Sequence, residues 1–219
     1  MTQRFYLESL GCPKNDVDSD KIIGTLLADG LVQTDDASQA DLVVVNTCAF
    51  IEDARRESID TVLELSNQKK VGARVVVTGC MAERYGQELA EALPEADAIL
   101  GFDDYKDISA RLQSIVSGNS HTPHVPRDRR SLLPIAPVER AAVRDEEYAS
   151  KVGAGGTLFR KRLGNAPWAP LKIASGCDRR CSFCAIPYFR GSFVSRRPVE
   201  ILEEAKWLAA NGVSELFLV

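Results

Sequence analysis

Residues 42–45 read Leu-Val-Val-Val between Asp41 and Asn46. An apolar run without alternation predicts a strand covered on both faces, as in a parallel sheet. Residues 4–7 predict an earlier strand and Arg74 to Thr78 a later one, with Ala96–Leu100 as a further short one. Helical spacing lies between them. Asp18 or Ser19 can cap a helix that runs to about Ala28, where Asp29-Gly30 ends it. Residues 52–68 place Ala54, Ile59, Val62, Leu63 and Leu65 near one face, and residues 82–92 and about 103–116 repeat the helical pattern. Strand and helix alternate, so an α/β fold with a parallel sheet is expected.

The pattern breaks at 117–167. Proline, glycine and charge interrupt every hydrophobic run there, which predicts a linker with at most short strands or a helical stretch at 138–149. His121 and His124, the two histidines of the chain, fall in it and are expected to be solvated. Order returns near residue 168. Leu171–Ala174 predicts a strand, Pro198 opens a helix carrying Ile201, Leu202, Ala205, Leu208 and Ala209, and Leu216–Val219 predicts the next strand. Trp207 and Met81 read as packing residues. The closing strand leaves its domain unfinished, so a truncated chain is expected.

Charge sharpens the division. The 219 residues carry a net charge of −4, but residues 1–150 sum to −10 and residues 151–199 to +9. A basic segment suits an anionic ligand or an RNA-rich surface, or is simply a solvated face. No secretory segment opens the chain, and no apolar run approaches the roughly 18 residues of a membrane span. A cytoplasmic protein with no membrane partner is expected.

Six cysteines occupy two sets of three. Cys177, Cys181 and Cys184 form a CxxxCxxC loop. Cys48 and Cys80 each fall just beyond the carboxyl end of a predicted strand, and Cys12 a few residues beyond another. That edge is where open α/β sheets bind ligands, so three distant residues can converge. Gly11 and Gly79 precede two of them and allow close backbone approach. Three unrelated buried cysteines, disulfides and zinc are the competing readings. Disulfides are uncommon in the cytosol. Structural zinc generally wants four ligands, and no fourth Cys or His lies near the compact loop in sequence. Three thiolates favour an iron–sulfur cluster with one iron left open.

The compact loop, with Phe183 just before Cys184, resembles the radical S-adenosylmethionine superfamily. LGCPKNDVDSD at 10–20, VVNTCAFIEDARRESID at 44–60 and VVTGCMAERY at 76–85 narrow the resemblance to methylthiotransferases, and among those to the branch that modifies a ribosomal protein. Pro13-Lys14-Asn15, Ala49 to Asp53 and Gly191-Ser192-Phe193 carry that narrower match. The resemblance implies a Rossmann/flavodoxin-like methylthiotransferase domain over 1–116, a linker with an insertion over 117–167, and the start of a radical S-adenosylmethionine (β/α) TIM-like barrel over 168–219. It implies two [4Fe-4S] clusters, one on Cys12, Cys48 and Cys80, the other on Cys177, Cys181 and Cys184 with S-adenosyl-L-methionine at its open iron. Phe183, Ser195 and Arg196 are implied cofactor neighbours, and Asn46 and Thr47 either tune the first cluster or cap a strand end. The implied reaction adds a methylthio group to the β-carbon of an aspartate of ribosomal protein S12. The expected partners are that protein or the small ribosomal subunit and a low-potential donor such as flavodoxin or ferredoxin, with the enzyme a monomer. A transfer-RNA adenosine methylthiotransferase and a non-catalytic, metal-stapled ribosome-binding module are the rival readings.

Overall fold

The structure, a computed structural model, describes residues 2–132 and 160–219. The helix expected at 138–149 lies outside them. Five strands form the first sheet: β1 (Arg4–Ser9), β2 (Val32–Gln33), β3 (Leu42–Thr47), β4 (Arg74–Gly79) and β5 (Ala98–Ile99). Their order is β2-β1-β3-β4-β5 and every pairing is parallel. This is the flavodoxin-like order, whose switch point lies between β1 and β3. Helices α1 (Pro13–Ala28), α2 (Glu52–Gln68) and α3 (Cys80–Ala92) connect successive strands, and α4 (Ile108–Val116) follows β5.

Alternate residues of the central strands feed opposite faces. Val43, Val45, Val75 and Val77 pack with Val62, Leu65 and Leu89 of α2 and α3. Leu42, Val44 and Val76 pack on the other face with Ile22, Ile23 and Leu26 of α1 and Leu112 and Ile115 of α4. With both faces covered, the unbroken apolar runs of β3 and β4 follow directly.

Two boundaries differ from expectation. Helix α1 begins at Pro13, with Cys12 as its N-cap residue, and not at Asp18 or Ser19. Proline at the first helical position costs no hydrogen bond, which is why the helix can start there. Asp18 and Ser19 are instead buried inside the helix. Strand β2, two residues at the sheet edge, is too short to leave a periodic signal.

The second unit starts with β6 (Trp168–Leu171), β7 (Ala174–Ser175), α5 (Ile186–Arg190), β8 (Val194–Ser195), α6 (Pro198–Ala210) and β9 (Glu215–Leu218). The strand expected at 171–174 is thus two strands. β6 pairs parallel with β9, giving a βαβ unit, whereas β7 pairs antiparallel with β8 at the base of the cysteine loop. Leu208 and Val213 pack on Ala169 and Leu171, with Trp207 half-buried beside them.

The units meet along α1. Lys172 Nζ is 2.7 Å from Asp18 Oδ1, and Arg160 Nε is 2.9 Å from Asp20 Oδ2. Glu204 then takes Arg160 and Arg196, each at 2.5 Å. All of these side chains are buried.

Candidate active site: two cysteine trios on a shared cavity

The sheet register brings the first trio together. Ser9 of β1 lies beside Asn46 of β3, and Asn46 beside Thr78 of β4. Chain leaving these level strand ends reaches Cys12, Cys48 and Cys80 within two or three residues. Gly11 shows how tightly they approach. Its φ is +95°, and a Cβ there would stand 2.6 Å from Cys48 Cβ and 2.7 Å from Cys48 Sγ. Gly79, at φ +92°, leaves no room either: a Cβ would meet Asn46 Oδ1 at 2.3 Å. Cys48 is anchored through its backbone, since its N–H donates to Ser58 Oγ at 3.1 Å from α2.

All three of these cysteines line a cavity of about 680 Å³. Its walls include Pro13 and Lys14 from α1, Phe50 and Ile51 from the β3–α2 turn, Ala54 from α2, and Ile186, Phe189 and Arg190 from α5. Cys177 lines it as well. Cys177, Cys181 and Cys184 line a second cavity, of about 800 Å³, with Arg179, Arg180, Tyr188 and Arg130. One cysteine therefore faces both spaces.

The compact loop is tied at both ends. The Cys177 N–H donates to the Gly191 carbonyl at 3.0 Å, and the Cys184 N–H to the Cys181 carbonyl at 3.1 Å. A Cβ at Gly176, φ +72°, would fall 2.1 Å from the Ser192 carbonyl oxygen, so only glycine lets these strands close. Cys181 is exposed, Cys177 and Cys184 partly so, and all six cysteines are free thiols.

The donor set suits iron–sulfur binding. Each trio offers soft sulfur ligands around an open volume. Among the described residues no group of three His, Cys, Asp or Glu side chains is drawn in tightly enough to grip a single ion. The glycines at 11 and 79 remove side chains that would fill the first cradle.

Comparison with known proteins agrees with this geometry. Residues 4–101 match the family described as "Uncharacterized protein family UPF0004", and residues 171–219 match the radical SAM superfamily. The chain is 56% identical over 221 residues to a protein of Kineococcus radiotolerans named "Ribosomal protein uS12 methylthiotransferase RimO", covering 97% of this chain and 46% of that one. Relatives of the same name from Streptomyces griseus (53% over 232 residues, 97% and 47%) and Saccharopolyspora erythraea (52% over 223 residues, 100% and 46%) align equally broadly. The chain is a close homologue of these radical S-adenosylmethionine methylthiotransferases along nearly its whole length. It spans about half the length of the curated relatives it matches.

The other expected site residues fall in different places. Phe183 is 88% exposed beside the compact loop. Ser195 sits on β8 and donates to its neighbour's carbonyl, that of Arg196. The Arg196 guanidinium turns away to Glu204 and to the Lys172 carbonyl, so it is neither on a solvated edge nor among the lining of the loop cavity. Asn46 and Thr47 act within the fold: Asn46 Nδ2 donates to Ser19 Oγ and the Asn15 carbonyl, and Thr47 Oγ1 to the Thr78 carbonyl. Met81 is core.

His124 corrects the linker reading. It is buried against the first unit, with Nε2 3.3 Å from Glu83 Oε1, because Gly101 leaves the space its ring occupies. Glu83 also takes Arg129. Burial alone would raise the Glu83 carboxyl, but His124 and Arg129 hold it below its ordinary value.

The roles of two residues leave no signal in the sequence, since each acts on a residue far away along the chain. Arg190 donates to Cys80 Sγ at 2.9 Å and to Asn15 Oδ1 at 2.8 Å. Burial would lower this guanidinium, yet Cys80 and Asp18 outweigh it and keep the group above its ordinary value. Asn15 in turn donates to the carbonyls of Leu10 and Thr47, joining two of the cysteine turns.

Proposed function

We propose that this chain is the cluster-bearing part of an enzyme that adds a methylthio group to the β-carbon of an aspartate in ribosomal protein S12. The observation that carries the reading is the cavity shared by Cys12, Cys48, Cys80 and Cys177. A radical centre and a sulfur centre must work on one carbon atom, and adjoining cavities with a common wall meet that need.

In this reading Cys12, Cys48 and Cys80 hold one [4Fe-4S] cluster, and Cys177, Cys181 and Cys184 hold another, which also binds S-adenosyl-L-methionine. The chemistry these groups supply when bound is one-electron cleavage of the cofactor on one side and an iron-held sulfur donor on the other. The chain's own residues bind and shield. Phe50, Ile51, Ile186 and Phe189 give the shared cavity an apolar wall that limits water around reactive species. Lys14, which lines the same wall and donates to the Ala174 carbonyl, places a cation where a substrate carboxylate would enter. Phe183 and Ser195 are the candidate neighbours of the cofactor, while Arg196 would have to leave Glu204 to join them.

Domain limits of 1–116, 117–167 and 168–219 are part of this proposal, as is a full (β/α) barrel completed by further chain. The βαβ unit of β6, α6 and β9 is the support for the barrel. The proposal also includes a low-potential donor such as flavodoxin or ferredoxin, a monomeric enzyme and a cytoplasmic site of action. Among the described residues no helix is long and apolar enough to cross a membrane.

The test is mass spectrometry of ribosomal protein S12 and of bulk transfer RNA from cells lacking the gene. The expected result is loss of one methylthio group from the protein, with RNA unchanged. Loss from RNA alone would assign the chain to the adenosine-modifying branch.

A further inference from the structure

The compact loop sends one side chain into the other site. Arg190 closes α5, and its side chain is 7% exposed. Nη2 reaches Cys80 Sγ and Asn15 Oδ1, Nη1 stands 4.0 Å from Asp18 Oδ2, and the guanidinium carbon lies 5.2 Å from the centre of the Phe102 ring. A planar fork with partners on its edge and a ring on its face is fixed in position. The next residue, Gly191, has φ +78° and turns the chain back so that its carbonyl accepts from the Cys177 N–H. Two consecutive residues thus touch both trios.

We propose that Arg190 is a positioning residue for the N-terminal cluster. It donates a hydrogen bond to the Cys80 sulfur and raises that cluster's reduction potential. The proposal rests on the cluster assignment given above. A cluster gains negative charge on reduction, so a buried cation bonded to a ligating sulfur favours the reduced form. Removing the cation shifts the potential to more negative values. A purely structural arginine, serving only as a partner for Asp18, would change unfolding and leave the potential where it was.

The experiment uses the full-length protein carrying Cys177→Ala, Cys181→Ala and Cys184→Ala, reconstituted anaerobically so that only the first trio can load. Iron and sulfide content and the electron paramagnetic resonance spectrum of this parent test the cluster assignment itself. A parent that binds no four-iron cluster sinks that assignment and leaves nothing for Arg190 to tune. The midpoint potential is then measured in Arg190→Lys and Arg190→Gln. Both are expected to shift negative, glutamine further than lysine, because lysine keeps the charge and the Asp18 pairing without the two-pronged reach. Parental potentials at full cluster content would overturn the proposal. Loss of the cluster or of the fold in Arg190→Lys would overturn it too, since that assigns the arginine to retention or stability.

Discussion

At the residue scale the site depends on side chains that glycine leaves out. Gly11 is needed twice, for its positive φ and for the space its hydrogen leaves beside Cys48. Gly30 has a similar φ, +87°, but nothing lies within 4 Å of the place a methyl group would occupy, so it isolates the conformational cost alone. Gly30→Ala is expected to cost about 1 kcal/mol, and Gly11→Ala about 2–3 kcal/mol together with loss of iron from the first trio. Urea unfolding and iron analysis of the two variants check this, and equal behaviour would contradict the packing argument. Ser58 offers a second case. Without its hydroxyl the buried Cys48 N–H loses its partner, so Ser58→Ala should cost about 1–3 kcal/mol in the same assay. The cysteines are legible in the sequence because their spacing is itself the signal. The contacts of Arg190, Asn15 and His124 are not, because each is defined by what the folded chain places against it.

At the element scale α1 is the bracket of the molecule. Its first two turns or so supply Lys14 to the Ala174 carbonyl, Asn15 to two cysteine turns, and Asp18 and Asp20 to the second unit, with Cys12 as N-cap residue. Its start is hard to see in the sequence because Cys12 caps without a side-chain hydrogen bond, while Asp18 and Ser19 look like caps and are buried for other reasons. Strands β3 and β4 are plain, since burial on both faces leaves an unmistakable apolar run. The two-residue strands β7 and β8 blur into the loop they support. That loop has little regular structure between Gly176 and Ala185, and its Cys181 is exposed. Hydrogen exchange is therefore expected to be fastest at about residues 178–183 and slowest in β3 and β4. Reconstitution with iron and sulfide should slow the loop. Unchanged exchange there after loading would show that the compact trio does not hold what was added.

At the scale of the whole molecule, buried charge joins the two units. Asp18 with Lys172 and Asp20 with Arg160 cross the junction, and Glu204 collects Arg160 and Arg196 behind them. Removing one partner strands a buried charge, so Asp18→Asn and Lys172→Met should each cost about 3–5 kcal/mol, with the double variant costing less than their sum. Equilibrium unfolding of the four proteins measures the coupling. The pH dependence follows from the same groups. Burial would raise the Asp18 carboxyl, but Lys172 and Arg190 hold it below its ordinary value. Such a group stabilises the fold above roughly pH 4 and loses that contribution as pH falls through its lowered pKa. Asp20 is pushed up by burial despite Arg160 and so acts with the opposite sign. Asp18→Asn should therefore flatten the fall in stability below about pH 4. Residue, element and junction all support one arrangement, two thiolate trios that share a wall. Its most direct test is anaerobic iron and sulfide analysis with Mössbauer spectroscopy on the full-length protein and on one variant per trio, Cys48→Ala and Cys181→Ala. The arrangement predicts about eight irons in the parent and about four in each variant, from different sites. Tetrahedral zinc in the parent, or an unchanged iron count in either variant, would contradict it.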